Sequence, residues 1–247
     1  MRLLLIDNSN TRTKFTLSSA DALGDWSAVI PTCDISESSL ASTLASCDWD
    51  ASLISSVVPA KAAVLEQFLA GKPCHSLSHR SRLPIGIDYP SPQQIGADRL
   101  ANAAAAHVMF GSPAIVLDFG TAVTFDVLGL DDAQQPVYQG GVIAPGLASM
   151  TEGLARRTAL LPHIELEEPT QAIGKSTEQA MLAGAVFGYR GLVREIIQQI
   201  QAELPGEANI IATGGDATLI TRGLPEIHQH CPQLTLEGLR LIANLNL

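Results

Sequence analysis

The sequence has no long hydrophobic run, and this absence argues against a membrane-spanning helix. No stretch of the 247 residues approaches the roughly 20 apolar residues that a membrane helix needs. The apolar run at residues 3–6 is too short for the core of a secretory signal, and no small-residue cleavage site follows it. We therefore expect a cytoplasmic protein that has no membrane partner.

Basic residues and paired cysteines are also scarce. The chain has 15 Lys and Arg against 25 Asp and Glu, a formal net charge of −10, so it offers no basic stripe to a nucleic acid. Cys33, Cys47, Cys74 and Cys231 are scattered without CxxC spacing, which favours buried thiols over disulfides or zinc ligands. With 46% hydrophobic and 16% charged residues, the composition is that of an ordinary globular protein.

Predicted strands alternate with predicted helices along the chain. An alanine-rich run predicts a helix at 97–110 that a glycine ends, and a proline at position 59 is well placed to open another that continues to about residue 70. The remaining patterns predict strands at 2–7, 12–18, 51–58, 113–128, 137–145 and 209–213, and helices at 176–201, after residue 214 and at 235–245. The alternation indicates an α/β architecture.

A repeat relates the two halves of the sequence. The segments LLLIDNSNTRT (3–13) and AIVLDFGTAVT (114–124) share an apolar strand, a terminal aspartate, a small-residue turn and a returning strand. The comparison places Asp7 on Asp118, Ser9 on Gly120, Asn10 on Thr121 and Thr13 on Thr124. We therefore predict two related α/β domains, residues 1–112 and 113–247.

Paired turns of this kind suit a nucleotide phosphate chain. Backbone N–H groups and hydroxyls can hold phosphate oxygens, while the aspartates hold a cation or its waters. Either turn alone could be a surface hairpin. Two copies, together with a third glycine turn in ATGGDA (212–217), favour phosphate binding.

The same motifs resemble those of the superfamily of actin, sugar kinases and the Hsp70 ATPase. Within it, the sequence is similar to the type III pantothenate kinases through IDNSNTRTKF (6–15), YPSPQQIGADR (89–99), LDFGTAVTFD (117–126), GGVIAPGL (140–147), IGKSTEQA (173–180) and ATGGDA. The resemblance implies two ribonuclease-H-like domains with the active site in or near the interdomain cleft. It also implies ATP-dependent phosphorylation of pantothenate, the first step of coenzyme A biosynthesis.

The resemblance also implies roles for individual residues. The ATP-binding residues would be Asp7, Asn8, Ser9, Asn10, Thr11, Arg12, Thr13 and Lys14 in the first turn, and Thr121 in the second. The pantothenate-binding residues would be Tyr89, Gly96, Ala97, Asp98, Arg99 and Thr177. Asp98 would be the catalytic base, Asp118 would hold a monovalent cation (K⁺ or NH₄⁺), and Thr177 would come from the partner protomer of a homodimer. Magnesium is expected to arrive with ATP.

One residue departs from the family pattern. Serine stands at position 9, where the family has glycine in Asp-x-Gly-Asn-Thr. Glycine tolerates a positive φ and a close phosphate, whereas serine fits only if φ is ordinary at this position. In that case, the serine hydroxyl could donate to a phosphate oxygen.

Several alternatives remain open at this stage. Arg99 could bind the pantothenate carboxylate, or it could lower the pKa of Asp98 or pair with it structurally. Gly184, Gly188 and Gly191 favour close helix packing, including packing across a dimer. The acceptor could be another small alcohol, because a fold does not determine a substrate. A silent protein that only binds nucleotide is the third possibility, and Ser9 is its only support.

Overall fold

The computed structural model describes all 247 residues, and they form an α/β protein with two mixed β-sheets. The strands are β1 (Leu3–Asn8), β2 (Arg12–Ser18), β3 (Leu23–Pro31), β4 (Ala51–Ser56), β5 (Cys74–Ser76), β6 (Gly86–Ile87), β7 (Ala114–Phe119), β8 (Ala122–Leu130), β9 (Pro136–Pro145), β10 (Asn209–Gly214) and β11 (Gln229–His230). The helices are α1 (Glu37–Leu44), α2 (Pro59–Leu69), α3 (Ala97–Phe110), α4 (Leu147–Arg157), α5 (Thr177–Glu203), α6 (Ala217–Thr221) and α7 (Leu234–Asn246). The α/β class is confirmed.

The chain forms two compact units. The first contains Met1–Gly111, Leu130–Gln139 and Gln233–Leu247, and the second contains Ser112–Gly129 and Gly140–Pro232. Compactness therefore groups the last helix and the 130–139 segment with the first unit. The division at residues 1–112 and 113–247 stays a prediction about how the repeat divides the chain.

The first unit is built around β1, which lies in the centre of a sheet ordered β3-β2-β1-β4-β5. Leu3 and Leu5 pack in one cluster with alanines of α3 and apolar residues of α7, while Leu4 and Ile6 pack in another with leucines of α1 and α2. Successive strand residues point to opposite faces. A strand with helices on both faces therefore needs a continuous apolar run, and LLLI supplies it.

The second unit repeats this plan. Strand β7 pairs antiparallel with β8 and parallel with β10, just as β1 pairs with β2 and β4. Its sheet is ordered β11-β10-β7-β8-β9-β6, and the first residues of β9 pair with β6 within the first unit. Val186, Tyr189 and Val193 of α5 are fully buried in its core.

The two repeated turns differ in length by one residue. Asp7 faces Lys14 across the first hairpin, whereas Asp118 faces Thr124 across the second. The sequence comparison placed Thr13 on Thr124, but the strand registers make Lys14 the counterpart of Thr124. The first turn therefore holds three residues between β1 and β2, whereas the second holds two between β7 and β8.

The predicted helices at 97–110 and 176–201 correspond to α3 and α5. Sequence analysis did not predict α1, α4 or strands β3, β5 and β6. The reasons are local: α1 lies in a serine-rich segment, α4 is polar on most of its surface, and β5 and β6 are only three and two residues long. None of the helices is both long and apolar enough to cross a membrane.

Helix α7 crosses α3 at a glycine, and this contact predicts a stability effect. A Cβ at Gly238 would overlap the carbonyl oxygen of Ala101 and lie 3.0 Å from its Cα. We expect Gly238→Ala to lower the free energy of unfolding by about 1–3 kcal/mol, because the helices must separate. The matched control is Gly153→Ala, where a Cβ meets open space. Urea unfolding of both variants checks this, and equal midpoints would contradict the packing.

Candidate active site

The first turn places a buried carboxylate beside a lysine and a serine. Asp7 is 3% exposed, and its Oδ2 lies 3.6 Å from Nζ of Lys14. Ser9 donates its hydroxyl to Oδ1 of Asp7 at 3.2 Å. A carboxylate held by a cation and a hydroxyl keeps one orientation, so this turn presents a defined charge pattern.

Ser9 adopts an ordinary backbone conformation. Gln134 is the only non-glycine residue of the chain that has a positive φ, so serine at position 9 carries no left-handed strain. Its hydroxyl contacts Asp7 within the turn. The condition under which serine can replace the family's glycine is therefore met.

The remaining residues of the first turn divide into buried and exposed sets. Asn8 and Thr13 are 1% and 0% exposed, and the Asn8 amide donates to the Thr13 hydroxyl at 2.7 Å. Asn10, Thr11 and Arg12 are exposed. Any direct contact of this turn with a ligand therefore falls mainly on the exposed set and its backbone.

The second turn is held by glycines from two other segments. Gly214 has φ +94°, and a Cβ there would lie 2.5 Å from both N and O of Phe119 and 2.7 Å from Oδ1 of Asp118. A Cβ at Gly146 would overlap the carbonyl oxygen of Gly120 and lie 2.5 Å from that of Thr121. Only glycine permits these approaches, so the GGVIAPG and ATGGDA motifs position the second turn.

A hydrogen-bond pair completes the support of this turn. The carbonyl oxygen of Thr121 accepts from the N–H of Gly146 and from the hydroxyl of Ser149, both at 3.1 Å. The Thr121 side chain remains exposed. The N-terminus of α4, a helix that sequence analysis did not predict, is thus hydrogen-bonded to the predicted ATP-binding residue.

Asp118 is the carboxylate that leads into the second turn. It is partly buried, and its Oδ1 lies close to Gly214, where a Cβ would be 2.7 Å away. The chain contains no cluster of three or more His, Cys, Asp or Glu side chains that could hold a metal ion. The assignment of a monovalent cation to Asp118 therefore stays a prediction.

On the first unit, Asp98 sits in the first turn of α3. Its Oδ1 accepts the N–H of Arg99 at 2.8 Å, and a Cβ at Gly96 would lie 2.5 Å from this oxygen. Glycine at the start of the GADR motif therefore makes room for the carboxylate. The aspartate is only partly buried and lies at the N-terminus of α3.

Tyr138 joins two of the predicted pantothenate residues, and sequence analysis missed it. Its fully buried ring lies edge-on to Tyr89, with centroids 6.3 Å apart, and the Arg99 guanidinium lies 5.7 Å from the Tyr138 centroid. The N–H of Asp88 also donates to the Tyr138 carbonyl at 2.9 Å. The signal was an aromatic residue two positions before the GG motif on β9. Tyr138 holds Tyr89 and Arg99 in one group with the start of α3.

Thr177 lies in an apolar groove of the second unit. The groove has a volume of about 570 Å³, and its lining comes from α4, α5 and Leu161 of the segment between them. Met150 and Leu154 line it and are 38% and 44% exposed. The structure therefore places Thr177 beside an uncovered hydrophobic surface.

A buried arginine anchors the segment that leads to Thr177. Arg190 makes a two-pronged ion pair with Glu168 at 2.8 and 2.7 Å, and it donates to the carbonyl oxygens of Leu219 and Ile220. These hydrogen bonds and the guanidinium charge lower the pKa of the Glu168 carboxyl. Arg190 thus ties residues 158–176 to α5 and α6.

Asp216 is a half-buried acid that sequence analysis noticed only as part of a glycine turn. Burial raises the pKa of its carboxyl. Burial, and secondarily the charge of Asp216, also raises the pKa of the Tyr189 hydroxyl, which donates to the Pro145 carbonyl at 3.2 Å. Asp216 N–H donates to the Phe119 carbonyl at 3.3 Å. Asp216 therefore lies next to the second turn, and its ionised form destabilises the folded state because it is partly buried.

The fold defines the class of protein, an α/β protein with two mixed sheets, each built around a central strand that leads into an aspartate turn. Two solved structures share the fold: the ethanolamine utilization protein EutJ of Carboxydothermus hydrogenoformans and the glucokinase of an Antarctic psychrotroph. Their TM-scores are 0.58 and 0.53 at 13% and 9% identity, with 98% of this chain covered in both, and 90% and 99% of those chains.

The particular family follows from two sequence comparisons. The family model for type III pantothenate kinase matches residues 3–199. A type III pantothenate kinase of Akkermansia muciniphila is 55% identical over 247 residues, which is 100% of both chains. The chain belongs to the type III pantothenate kinase family.

The raised pKa of Asp216 predicts a pH-dependent stability effect. A carboxyl whose pKa is raised on folding destabilises the native state once it is deprotonated. We therefore expect Asp216→Asn to raise the melting temperature at pH 7. The gain should shrink as the pH falls towards the ordinary carboxyl range, where the group is protonated in both states. Thermal melts from pH 7 to 4 check this, with the exposed Asp132→Asn as the control. A lower melting temperature for Asp216→Asn at pH 7 would contradict it.

Proposed function

We propose that this protein transfers the γ-phosphoryl group of ATP to the primary hydroxyl of pantothenate, forming 4′-phosphopantothenate in the first step of coenzyme A biosynthesis. Membership of the type III pantothenate kinase family is the observation that carries the proposal. The two aspartate turns and the GADR helix start add the chemical groups that phosphoryl transfer needs. The cytoplasm stays the predicted location.

ATP would bind through the two turns. From the first turn, the backbone of residues 9–12 and the Lys14 ammonium would bind the phosphate chain, with Asp7 keeping Lys14 in place. Thr121 contributes its hydroxyl from the second turn. Phosphoryl transfer depends mainly on positioning and on stabilising negative charge, and these groups provide both.

Asp98 would act as the general base. Its Oδ1 accepts the N–H of Arg99, which fixes the orientation of the carboxylate, and the carboxylate would accept the proton of the pantothenate hydroxyl as oxygen attacks phosphorus. A positioned base of this kind contributes about 10²–10⁴-fold to the rate. The N-terminus of α3 adds partial positive charge close to the reacting groups.

Pantothenate would be held by the aromatic and basic group beside Asp98. Tyr89 and Arg99 are oriented by Tyr138, and Gly96 and Ala97 bring the backbone close. The guanidinium of Arg99 suits the pantothenate carboxylate. Its contact with the Tyr138 ring is compatible with this role, because stacking engages the face of the guanidinium and leaves its N–H edge for hydrogen bonds.

Two cations complete the proposal. Mg²⁺ would arrive with ATP and keep most of its water, which needs few protein ligands. A monovalent cation, K⁺ or NH₄⁺, would be held by Asp118 with carbonyl oxygens of its turn, and would neutralise phosphate charge.

A homodimer is the proposed assembly. The exposed face of α5 carries Gly184, Gly188 and Gly191, where an added Cβ would meet open space, and Phe187 between them is 40% exposed. The groove beside Thr177 continues this apolar surface. A second copy packed there would bury both surfaces. The family resemblance assigns Thr177 to the pantothenate site of the partner protomer.

The other acceptor alcohol and the silent nucleotide binder are weaker candidates. The support for silence was Ser9, and its ordinary φ removes the strain on which that support depended. Dependence of ADP release on pantothenate distinguishes pantothenate from another acceptor alcohol.

An ADP-release assay with ATP, Mg²⁺ and pantothenate tests the function. We expect turnover that requires pantothenate and falls when Na⁺ replaces K⁺.

Asp98→Asn should reduce kcat by about 10²–10⁴-fold while ATP binding is kept, because only the proton acceptor is removed. The control is Asp25→Asn, which alters an exposed residue on β3. Near-normal turnover of Asp98→Asn would exclude the base role, and pantothenate-independent turnover would exclude this acceptor.

A mixing experiment tests the shared site. Asp98→Asn and Thr177→Ala homodimers should both be impaired, but a mixed dimer keeps one intact site if Thr177 acts across the interface. Random exchange makes about half of the dimers mixed, so about a quarter of wild-type activity should return. No recovery in dimers shown by mass to be mixed would assign Thr177 to its own protomer.

A further inference from the structure

The first turn rests on a chain of hydrogen-bonded polar side chains, two of which lie outside the turn. Ser56, at the end of β4, donates its hydroxyl to Oδ1 of Asn8 at 2.7 Å, and the Asn8 amide donates to the Thr13 hydroxyl at 2.7 Å. The Thr13 and Thr32 hydroxyls are 3.0 Å apart, and the Thr32 hydroxyl donates to the Ser9 carbonyl at 2.7 Å. The chain therefore connects β4, β1 and β2 to the residue that follows β3.

The direction of this chain follows from proton counting. A threonine hydroxyl has one proton, and that of Thr32 goes to the Ser9 carbonyl, so Thr32 must accept from Thr13. Thr13 then donates to Thr32 and accepts from Asn8. Each hydroxyl donates once, and the chain runs one way from Ser56 to the turn. Such one-way chains in buried surroundings strengthen their members cooperatively.

Thr32 holds the turn at two carbonyl groups. Its hydroxyl binds the Ser9 carbonyl, and its N–H donates to the Thr11 carbonyl at 2.9 Å. In a trans peptide the C=O and the following N–H point in opposite directions. With the Ser9 carbonyl drawn to the buried Thr32, the N–H of Asn10 must point to the opposite, open side of the turn.

We propose that Thr32 and Ser56 are positioning residues for ATP: they hold the first turn so that the Asn10 N–H faces the phosphate chain. This inference rests on the proposed function for the identity of the ligand. Thr32 is 2% exposed, so it is shielded from a ligand in solvent. Its effect on ATP would therefore pass through the backbone carbonyls of Ser9 and Thr11 that it binds. The side chains of Asn8 and Thr13, which the family resemblance assigns to ATP, act here as links in the same support.

Thr32→Val is the sharpest test because valine keeps the shape of threonine and removes its hydroxyl. It leaves the Ser9 carbonyl and the Thr13 hydroxyl without their partner, so we expect the KM for ATP to rise about tenfold. The KM for pantothenate should stay unchanged. Thr32→Ser restores the hydroxyl and should restore the ATP KM.

The matched control is Thr16→Val. Thr16 of β2 is 1% exposed and donates to the carbonyl oxygen of Trp26 on β3 at 3.0 Å, away from the turn. It should lose stability without a selective change in the ATP KM. If Thr32→Val does not fold, Ser56→Ala tests the other end of the chain, with a smaller rise of the ATP KM expected.

The outcomes separate this inference from the proposed function. ATP binding by titration calorimetry is measured beside turnover for every variant. If wild type binds ATP but does not phosphorylate pantothenate, the function fails while the ratio of ATP Kd values still tests the support. If wild type is active and Thr32→Val matches it for ATP, the positioning role is overturned and the function stands. Equal losses for ATP and pantothenate would also overturn it, because they indicate general destabilisation. A wild type that binds no ATP would overturn both.

Discussion

The rest of the structure depends on a buried central strand whose penultimate residue is an aspartate and whose chain then reverses within three residues or fewer. Strand β1 does this at Asp7, and β7 does it at Asp118. Both strands are paired on each side and covered by apolar contacts, so their ends have little freedom. The short reversal leaves backbone N–H groups and a charged side chain at one point. The proposed contacts of the two turns with the phosphates of ATP depend on that geometry.

Neighbouring segments keep the two turns in shape by different means. The second turn is confined by glycines, because Gly146 and Gly214 leave no room for a Cβ against its backbone. The first turn is confined by hydrogen bonds from Thr32 and the side chains linked to it. The first turn is one residue longer, and the second turn also accepts hydrogen bonds from Gly146 and Ser149 at the Thr121 carbonyl. Serine at position 9 is compatible with this arrangement because φ is ordinary there.

The sequence predicted the features that repeat or follow a local period. The helix at 97–110 matches α3, the alternation of strands and helices predicted the α/β class, and the repeat predicted the aspartate turns. The grouping of α7 with the first unit was not predictable, since it depends on contacts such as Gly238 with Ala101 that lie far apart in sequence. Tyr138 and Thr32 were missed for the same reason: each acts on residues about 20 to 50 positions away through packing or hydrogen bonding. The family resemblance named residues of the site but not those that hold them.

Product analysis tests the central claim most directly, namely that the acceptor is the primary hydroxyl of pantothenate. Phosphorus NMR of a reaction with ATP, Mg²⁺, K⁺ and pantothenate follows the transferred group itself. The account predicts a new phosphomonoester signal split into a triplet by the adjacent methylene protons. A doublet would place the phosphoryl group on the secondary alcohol, and inorganic phosphate alone would identify an ATPase. Either result would contradict the account.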